Sequence, residues 1–588
     1  MDYDTCSSLA AMFFDNTTEI GNRPFLWSKE NGEWISVSGI EARSEASALS
    51  SGLKSLGLRS GDRVALASES RPEWLISDIA IMAAGGISVP LYTTNQYSDH
   101  LHVLKDSGAI GAIISGSTLA KNLLPAAVDA GLNFVITMEA IEHSGSVDIV
   151  RWEKLIADNK AATPNIDGLS RAQTACLIYT SGTGGAPKGV MLSHGSIISN
   201  CKGAYQLLLA LGLDQEIFLS FLPLSHSYEH TAGLMFPLSI KAQIYYAEGA
   251  DKLAANMVEV RPTIMTAVPR LYETMHSRIL RGIQQKGGLS EKLFMKTVSI
   301  GRKKYQGHST TLVEAVLDPL LTKLVRRKVA ARFGGRLKAM VSGGAPLNFE
   351  IGTFFKALDV ELLQGYGQTE AAPIISCNLP AKNKINSVGP PLVGVDVKIA
   401  EDGEILVKGE LVMQGYWNLQ EQTDSAVQDG WLHTGDIGQL DEDGFLIITD
   451  RKKDIIVNSG GDNISPQRIE GLLTMLPEIS QAMVYGDQKP NLVALIVPDP
   501  EFTTNWGKGN VNPGSAGQLA EDEGFRKKIA EAIDRVNDTL SIVEKIRNFA
   551  IVMEEFTIDN TLMTPSLKIR RHKIIELYGA ELEALYLR

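Results

Sequence analysis

The sequence contains few cysteines, and none are arranged to bind a metal or form a disulfide framework. Its 588 residues include four, none in a Cys-x-x-Cys pair: Cys6, Cys176, Cys201 and Cys377. This scatter excludes a disulfide-stapled scaffold and a cysteine-based zinc site. It indicates a reducing compartment, and we expect a cytoplasmic protein.

Long hydrophobic runs are also missing. The longest weakly polar stretch, residues 79–92, has about fourteen residues, whereas a bilayer span needs about twenty. Residues 1–4, Met-Asp-Tyr-Asp, are acidic where a signal peptide would be basic. We therefore expect no transmembrane helix and no secretory leader. Any contact with a membrane is expected only at its surface, on the inner face.

Positive charge is scarce, because 56 Lys and Arg stand against 68 Asp and Glu, a formal net charge of −12. An acidic average argues against a nucleic-acid binder that works by neutralising phosphates. Residues 278–336 are the exception: fourteen basic and three acidic residues give a net +11 and leave −23 for the rest. Apolar residues recur there at helical spacing, which predicts a basic amphipathic helical insertion. Its basic face is either simply solvated or attracted to anionic lipid head groups.

The order of secondary-structure patterns predicts an α/β fold. Apolar strand patterns such as residues 63–67, 111–114 and 134–137 alternate with helical patterns from about residue 40 to about residue 380. Such alternation implies mostly parallel sheets covered by helices. After residue 391 short strands with tight turns predict a small antiparallel sheet or barrel. Mixed helix and strand patterns return beyond residue 450.

A loop that fits a polyphosphate follows an apolar strand pattern. Residues 180–189 read Thr-Ser-Gly-Thr-Gly-Gly-Ala-Pro-Lys-Gly, which combines three hydroxyls, glycines and Lys188. Backbone N–H groups and hydroxyls of such a loop can wrap phosphates while the lysine supplies charge. Pro187 and Gly189 replace the Gly and Ser/Thr of a Walker A loop, which disfavours ordinary P-loop chemistry. A turn with a purely structural role is the alternative.

Three further motifs carry candidate binding groups. Residues 364–370, Gln-Gly-Tyr-Gly-Gln-Thr-Glu, follow a strand pattern and so lie where open α/β sheets bind ligands. There Tyr366 offers a flat face for a base, and Glu370 offers an oxygen ligand for Mg²⁺. Further along, Asp436 is a carboxylate suited to ribose hydroxyls, and Lys568 lies in a turn ahead of a helix.

Together these motifs resemble the adenylate-forming superfamily of acyl- and aryl-CoA synthetases, luciferases and peptide-synthetase adenylation domains. Residues 179–189 look like its phosphate-loop signature, residues 342–346 like its adenine-binding turn and residues 366–370 like its adenine and magnesium motif. The resemblance implies a large N-terminal domain, residues 1–450, of two helix-covered mostly parallel sheets plus a small β-barrel. A small mobile α+β C-terminal domain, residues 451–588, would follow.

The resemblance also implies ATP, Mg²⁺ and coenzyme A as cofactors, and it assigns roles to individual residues. Lys568, Glu370, Lys188 and His226 would be catalytic, and Mg²⁺ would be held by Glu370 and indirectly by Thr183. The C-terminal domain would rotate about the Lys453 hinge between two half-reactions. The nucleotide- and cofactor-binding positions would be Thr180, Ser181, Gly182, Thr183, Gly184, Gly343, Gly344, Ala345, Gln364, Gly365, Tyr366, Gly367, Thr369, Asp436, Arg451, Lys453 and Gly460.

Within the superfamily the match is closest to long-chain fatty-acid–CoA ligases. Residues 222–229, residues 268–273 and the end of the basic insertion look like that branch. The resemblance implies activation of long-chain fatty acids by ATP to acyl-CoA through an acyl-adenylate, with release of pyrophosphate and AMP. Two positions depart from the family: Gly184 stands where Thr is usual, and Leu567 where Gly is usual. Chain length and oligomeric state stay open.

Several alternatives stay open at this point. A related enzyme would pass its acyl group to a carrier-protein pantetheine, or act on a medium-chain or aryl acid. An inactive lipid-binding protein at a membrane is a second class, although it would have no use for the full charged set. His226, Glu229 and His230 fit the H-x-x-E-H pattern of a zinc peptidase, but the sequence shows no matching third ligand.

Overall fold

Two eight-stranded sheets carry most of the first 420 residues of the chain. The computed structural model describes residues 1–142, 147–163, 166–180, 186–460, 462–510, 516–564 and 568–587. The structure contains strands and helices at the positions that the sequence periodicity predicts. The strand Arg63–Ala67 has its predicted bounds, and the helix predicted over residues 73–84 is Pro72–Ala83.

The first sheet is parallel through its middle and antiparallel at both edges, since its outer strands are reached by short returns. Its strands, in spatial order, are Ile374–Cys377, Leu362–Gly367, Ala339–Ser342, Ile264–Ala267, Ile217–Ser220, Gln243–Tyr246, Pro24–Glu30 and Glu33–Ser38.

The second sheet has six parallel strands and an antiparallel edge. Its strands, in spatial order, are Gly415–Tyr416, Lys188–Ser193, Thr174–Thr180, Ile87–Pro90, Arg63–Ala67, Ala109–Ile114, Phe134–Thr137 and Asp148–Arg151. One core of buried residues extends across both sheets and includes Trp74, Phe218 and Phe236. The sheets therefore form one body with a shared apolar interior.

A third sheet confirms the predicted antiparallel region. Its strands are Asp396–Ile399, Glu404–Lys408, Val427–Gln428, Trp431–Leu440 and Leu446–Arg451. The first two pair across the predicted turn at Gly403, whose φ of +85° favours glycine. Among the described strands the pairing runs from one edge to the other without joining the two edges. The region is thus an open, barrel-like sheet.

Helices cover both faces of the two large sheets. Up to residue 450 they are Leu9–Ile20, Gly39–Ser55, Pro72–Ala83, Tyr97–Ser107, Ser117–Ala130, Trp152–Asp158, His194–Leu208, Phe236–Ser239, Leu253–Val260, Pro269–Lys286, Gly288–Tyr305, Leu312–Leu321, Arg327–Arg332, Phe349–Ala357 and Gln420–Ala426. Two π-helical turns, Glu229–Met235 and Thr322–Arg326, interrupt this set. Residues 278–336 are mostly helical, as predicted, with breaks at residues 306–311 and after Arg332. Within the described ranges, no helix is both long and apolar enough to cross a bilayer.

The residues after 451 build separate small sheets. Ile456–Val457 pairs with Asn463–Ile464, and a three-stranded sheet joins Ile479–Tyr485, Leu492–Pro498 and Ile546–Ile551. Helices flank this second sheet: Pro466–Leu473, Pro500–Asn510, Ala516–Glu521, Glu523–Asn537 and Arg571–Ala584. The central strand, Leu492–Pro498, is buried throughout because apolar clusters pack on both of its faces. This region therefore has a core of its own.

Candidate active site

A glycine-containing turn and the glycine-containing end of a strand lie side by side at the carboxyl edge of the first sheet. The strands Ala339–Ser342 and Leu362–Gly367 are parallel neighbours, so the turn at residues 343–345 lies beside residues 365–367. Gly344 has φ +83°, a left-handed conformation that favours glycine. The backbone at this edge is open to close approach by a ligand, as expected at the carboxyl ends of parallel strands.

The second of these strands runs on into a 3₁₀ turn that carries Thr369 and Glu370. Gly367 leaves no room for a side chain, since a Cβ there would lie 1.8 Å from the Pro373 carbonyl oxygen. The Thr369 hydroxyl lies 2.8 Å from the Ser227 hydroxyl, which belongs to the segment after the strand Ile217–Ser220. Residues from two distant parts of the sequence therefore fix this turn.

Tyr416 connects Glu370 to Lys188. Its hydroxyl donates a hydrogen bond of 2.8 Å to a carboxylate oxygen of Glu370, and its ring centroid lies 4.9 Å from the Lys188 ammonium nitrogen. Pairing of Tyr416 with Val190 holds the ring over the start of the lysine's own strand. Burial, followed by the negative charge of Glu370, raises the pKa of Tyr416 well above its usual range. The hydroxyl is therefore a donor toward the carboxylate at neutral pH.

The predicted phosphate loop begins and ends on paired strands. Thr180 pairs with Lys188 in the antiparallel ladder between the strands Thr174–Thr180 and Lys188–Ser193. Ser181, Gly182, Thr183 and Gly184, four predicted binding residues, lie outside the described residues.

Asp436 is a buried carboxylate whose two oxygens each accept a hydrogen bond. The Tyr366 hydroxyl donates to one oxygen at 2.6 Å, and the Arg451 guanidinium Nε donates to the other at 3.0 Å. Antiparallel pairing of Asp436 with Arg451 fixes the second contact. Burial and the nearby carboxylate raise the pKa of Tyr366, so it stays a neutral donor. The predicted base-binding and ribose-binding residues therefore form one connected group.

Lys568 reaches this group from the C-terminal part of the chain. Two hydrogen bonds join its backbone to Thr564: the Thr564 N–H donates to the Lys568 carbonyl at 2.8 Å, and the Lys568 N–H to the Thr564 hydroxyl at 3.1 Å. The Lys568 side chain is exposed, although many protein atoms surround its ammonium. Desolvation, and next the charge of Arg451, lower its pKa to about 8, while Asp436 and Asp454 act in the opposite direction. These four charges therefore share one cleft.

His226 lies close enough to Lys568 for the lysine's charge to act on its ring. Its Nδ1 accepts a 3.1 Å hydrogen bond from the Tyr228 backbone N–H, which leaves the ring proton on Nε2. Burial, followed by the positive charge of Lys568, lowers the pKa of His226 to about 4. The ring is therefore neutral at pH 7 and presents an N–H donor.

Glu229 and His230 have partners other than a metal. The Glu229 carboxylate accepts hydrogen bonds of 2.6 Å from the hydroxyls of Ser220 and Thr266, and His230 Nε2 lies 2.9 Å from a carboxylate oxygen of Asp78. All these groups are buried. Over the described residues, no cluster of three or more metal-ligating side chains occurs. The described geometry therefore does not support a zinc-peptidase site.

Two predicted positions, Lys453 and Gly460, lie apart from this cleft in their contacts. Lys453 is exposed in the turn that follows the strand Leu446–Arg451. The Gly460 N–H donates to the Asn458 side-chain oxygen at 2.9 Å, which also accepts from the Asp462 N–H. The turn around Gly460 is therefore closed by its own side chains.

The C-terminal part packs against the N-terminal part through polar contacts. Arg281 forms ion pairs with Glu501 and, at 3.6 Å, with Asp499. The Asn348 side-chain amide donates to the Gly471 carbonyl at 3.4 Å. The side chains of Arg281 and Glu501 are both about half exposed, so these ion pairs are worth little individually. Polar contacts of this kind are among those that join the part carrying Lys568 to the N-terminal part.

Sequence reasoning missed Tyr416 and Ser227 as parts of this site. Tyr416 lies 46 residues from Glu370 along the chain, and Ser227 lies 142 residues from Thr369. A lone tyrosine in a two-residue strand carries no local signal of its neighbours. Only the pairing of sheet strands brings these residues to the motifs.

Family models match almost the whole chain. One described as AMP-binding enzyme covers residues 13–417, and one described as AMP-binding enzyme C-terminal domain covers residues 453–588. A long-chain-fatty-acid–CoA ligase of Mycobacterium bovis is 34% identical over 585 residues, which are 98% of this chain and 97% of the relative. The peroxisomal long chain acyl-CoA synthetase 7 of Arabidopsis thaliana is 31% identical over 94% of this chain and 82% of its own length.

Solved structures share the fold at lower identity. The adenylation domain of a carboxylate reductase from Mycobacterium chelonae has a TM-score of 0.79 at 23% identity and covers 99% of this chain and 91% of that one. An anthranilate CoA ligase in complex with anthranoyl-AMP has a TM-score of 0.73 at 20% identity. The match covers 99% of this chain and 100% of that one. The chain therefore belongs to the AMP-binding, adenylate-forming enzyme family, and it is similar along its whole length to long-chain fatty-acid–CoA ligases.

Proposed function

We propose that this enzyme activates long-chain fatty acids with ATP and transfers the acyl group to coenzyme A. The observation that carries the proposal is the convergence of Lys568 with Asp436, Arg451 and His226 in one cleft. The names of the full-length relatives support the fatty acid as the substrate and coenzyme A as the acceptor.

The turn at residues 343–345, the strand end at residues 365–367 and Asp436 would hold the nucleotide. Two buried polar atoms beside these residues lack a partner among the described groups: Gln364 Oε1 and Gln368 Nε2. Buried polar atoms are rarely left unpaired, so a bound base with donors and acceptors fits this edge. Lone pairs on the Asp436 carboxylate, already oriented by Tyr366 and Arg451, would accept from ribose hydroxyls.

Glu370 would bind Mg²⁺ together with the phosphates. Of the described side chains, only the Tyr416 hydroxyl is within hydrogen-bonding distance of this carboxylate, so one oxygen is free to meet a cation. Mg²⁺ usually takes one or two protein carboxylates and completes its shell with phosphate and water, which a single glutamate fits. The ion would neutralise phosphate charge. Lys188, with Thr180 and the loop between them, would hold the same phosphates.

Lys568 and His226 would assist the first half-reaction. A carboxylate oxygen of the fatty acid attacks the α-phosphorus, a new O–P bond forms, and the bond to the pyrophosphate oxygen breaks. Negative charge on the phosphate oxygens is highest as pyrophosphate leaves, and the Lys568 ammonium can stabilise it. The neutral His226 ring, with its proton on Nε2, can donate to the fatty-acid carboxylate and orient it.

The second half-reaction requires a different arrangement of the C-terminal part. The coenzyme A sulfur attacks the acyl carbon, a C–S bond forms, and AMP leaves with the electrons of the broken C–O bond. Lys568 occupies the cleft in this structure, so we propose that a turn about Lys453 removes it and brings the Gly460 turn in its place. The polar, half-exposed contacts of Arg281 are of the weak kind that such a rotation can break.

Apolar burial limits how finely chain length is selected. Each buried methylene contributes about 0.8 kcal/mol, and a pocket separates neighbouring homologues by only about 1–3 kcal/mol. We therefore expect a range of long acids to be accepted.

Fatty-acid-dependent exchange of pyrophosphate into ATP tests the first half-reaction across chain lengths, and thioester detection with free coenzyme A tests the second. We expect exchange to be strongest with long acids and acyl-CoA to form without a carrier protein. Exchange with aryl acids alone, or acyl transfer only to a pantetheine carrier protein, would overturn the proposal.

A matched pair of variants tests the role of Lys568. Lys568→Ala should abolish exchange yet still convert supplied acyl-adenylate into acyl-CoA, because the thiol step does not use the ammonium. Lys573→Ala is the control, since Lys573 forms a surface ion pair with Glu576 in the helix just after the cleft. Equal loss of both half-reactions in Lys568→Ala would contradict the rotation of the C-terminal part.

A further inference from the structure

A stripe of apolar side chains lies exposed on the helix Leu312–Leu321. Leu312, Val316 and Leu320 follow one another at intervals of four residues and so share one face. Their exposed fractions are 88%, 79% and 49%. Single exposed apolar residues are ordinary, but a continuous stripe on one helix indicates a surface that meets another apolar phase.

Ion pairs on the opposite side determine which face of this helix points outward. Glu314 is buried and lies 2.9 Å from the Lys296 ammonium and 2.8 Å from that of Lys303, both on the preceding helix Gly288–Tyr305. Asp318, one turn further, is 2.6 Å from the Lys304 ammonium. Both acids of the helix are thus directed toward the protein, so the outward face carries no negative charge of its own.

Basic residues continue the exposed face beyond the stripe. Lys323, Arg327, Lys328 and Arg332 are all exposed, and none has a carboxylate within 4.0 Å among the described residues. Residues 278–336 carry a net +11, while the rest of the chain carries −23. An anionic surface would therefore attract this segment and repel the remainder, which leaves one orientation for approach.

We propose that this face, made of Leu312, Val313, Val316 and Leu320 with Lys323, Arg327 and Lys328, docks on the surface of an anionic lipid bilayer. The apolar side chains would enter the boundary between head groups and acyl chains, and the basic ones would bind the head groups. The helix has 10 residues, which makes it about 15 Å long and too short to span. The docking is independent of which thiol accepts the acyl group.

The charge pattern favours a bilayer over other occupants. A second copy docked through the same face would bring an equal positive charge against it, which costs association free energy at low salt. A nucleic acid would bind the basic residues but leave the apolar stripe in water. Only an anionic lipid surface offers both an apolar phase and negative charge in one layer.

Vesicle flotation of the full chain tests the proposal, with vesicles of phosphatidylcholine alone or mixed with phosphatidylglycerol. We expect binding only to the mixed vesicles and release at high salt. Lys323→Glu/Arg327→Glu/Lys328→Glu should weaken vesicle affinity about a hundredfold or more. Leu312→Ser/Val316→Ser should weaken it at least about tenfold. The matched controls are Ile542→Ser, another exposed apolar position, and Lys121→Glu, another exposed lysine.

Other measurements separate docking from misfolding and from self-association. All these side chains are exposed, so the thermal midpoint and the activity on a short, water-soluble acid should match the unsubstituted chain. Binding that ignores both salt and anionic lipid, or variants that bind like their controls, would overturn the proposal. So would a concentration-dependent dimer that Leu312→Ser/Val316→Ser abolishes while vesicle binding is absent, since a second copy would then cover the face.

Discussion

The lowered pKa of Lys568 predicts how adenylate formation depends on pH. The ordinary value for lysine is 10.5, and desolvation in the cleft beside Arg451 lowers the pKa to about 8. With a pKa of about 8, about nine-tenths of the free enzyme carries the ammonium at pH 7, and about one-tenth at pH 9. If only the charged form stabilises the departing phosphate, the rate should fall with pH through this range.

The size of the effect follows from the role of the charge. Removing one preorganised donor from a developing anion typically costs about 10²–10³ in rate, so Lys568→Ala should reduce exchange by at least that factor. Lys568→Arg keeps its charge above pH 10, so its residual activity should not fall between pH 7 and pH 9. The contrast between these two variants separates the charge of the side chain from its shape.

The assay is pyrophosphate exchange, and the quantity is kcat/KM for ATP, because it reports the pKa values of the free enzyme. We expect an alkaline limb near pH 8 in the unsubstituted enzyme and its loss in Lys568→Arg. The control is Lys573→Ala, whose profile should match the unsubstituted enzyme. An alkaline limb that persists unchanged in Lys568→Arg would refute the reasoning.

Three other perturbations have expected outcomes. Tyr416→Phe keeps the ring over Lys188 but removes the hydrogen bond to Glu370, so kcat/KM for MgATP should fall by about fivefold to tenfold; no change would show that the hydroxyl does not position the carboxylate. Gly367→Ala would place a Cβ 1.8 Å from a carbonyl oxygen, so the free energy of unfolding measured in urea should fall by at least about 2 kcal/mol. An unchanged free energy of unfolding would contradict the close packing at Gly367. Burial raises the pKa of Glu229 from 4.5 to about 7, so the folded state binds the extra proton and the free energy of unfolding should fall as pH rises from about 4.5 to about 7. Glu229→Gln should remove that slope, and an unchanged slope would exclude Glu229 as its source.

Local patterns in the sequence predicted much of the fold. The strands Arg63–Ala67 and Phe134–Thr137 have their predicted bounds because a short apolar run flanked by turn residues has few other ways to be buried. The antiparallel pair around Gly403 was predictable because the Asp-Gly turn determines the local register. Whether the third sheet closes into a barrel or stays open was not predictable, since pairing between distant strands leaves no local signal.

The sequence by itself supplied the candidate groups of the site, because each motif is a short stretch with its own chemistry. Lys188, Glu370, Asp436 and Lys568 were all identifiable in this way. The tertiary structure decided which of these groups lie close together and which neighbours shift their pKa values. It brought Tyr416 onto Glu370 through sheet pairing, and it placed the Lys568 ammonium beside Arg451, where desolvation lowers its pKa.

The same division applies to the basic insertion. Its excess of +11 and its helical periodicity are properties of the sequence. The sequence does not determine which face of the helix points outward, because that depends on the ion pairs of Glu314 and Asp318 with lysines on a neighbouring helix. Composition is a sum over residues and does not depend on the fold, whereas contacts between distant residues exist only once the chain has folded.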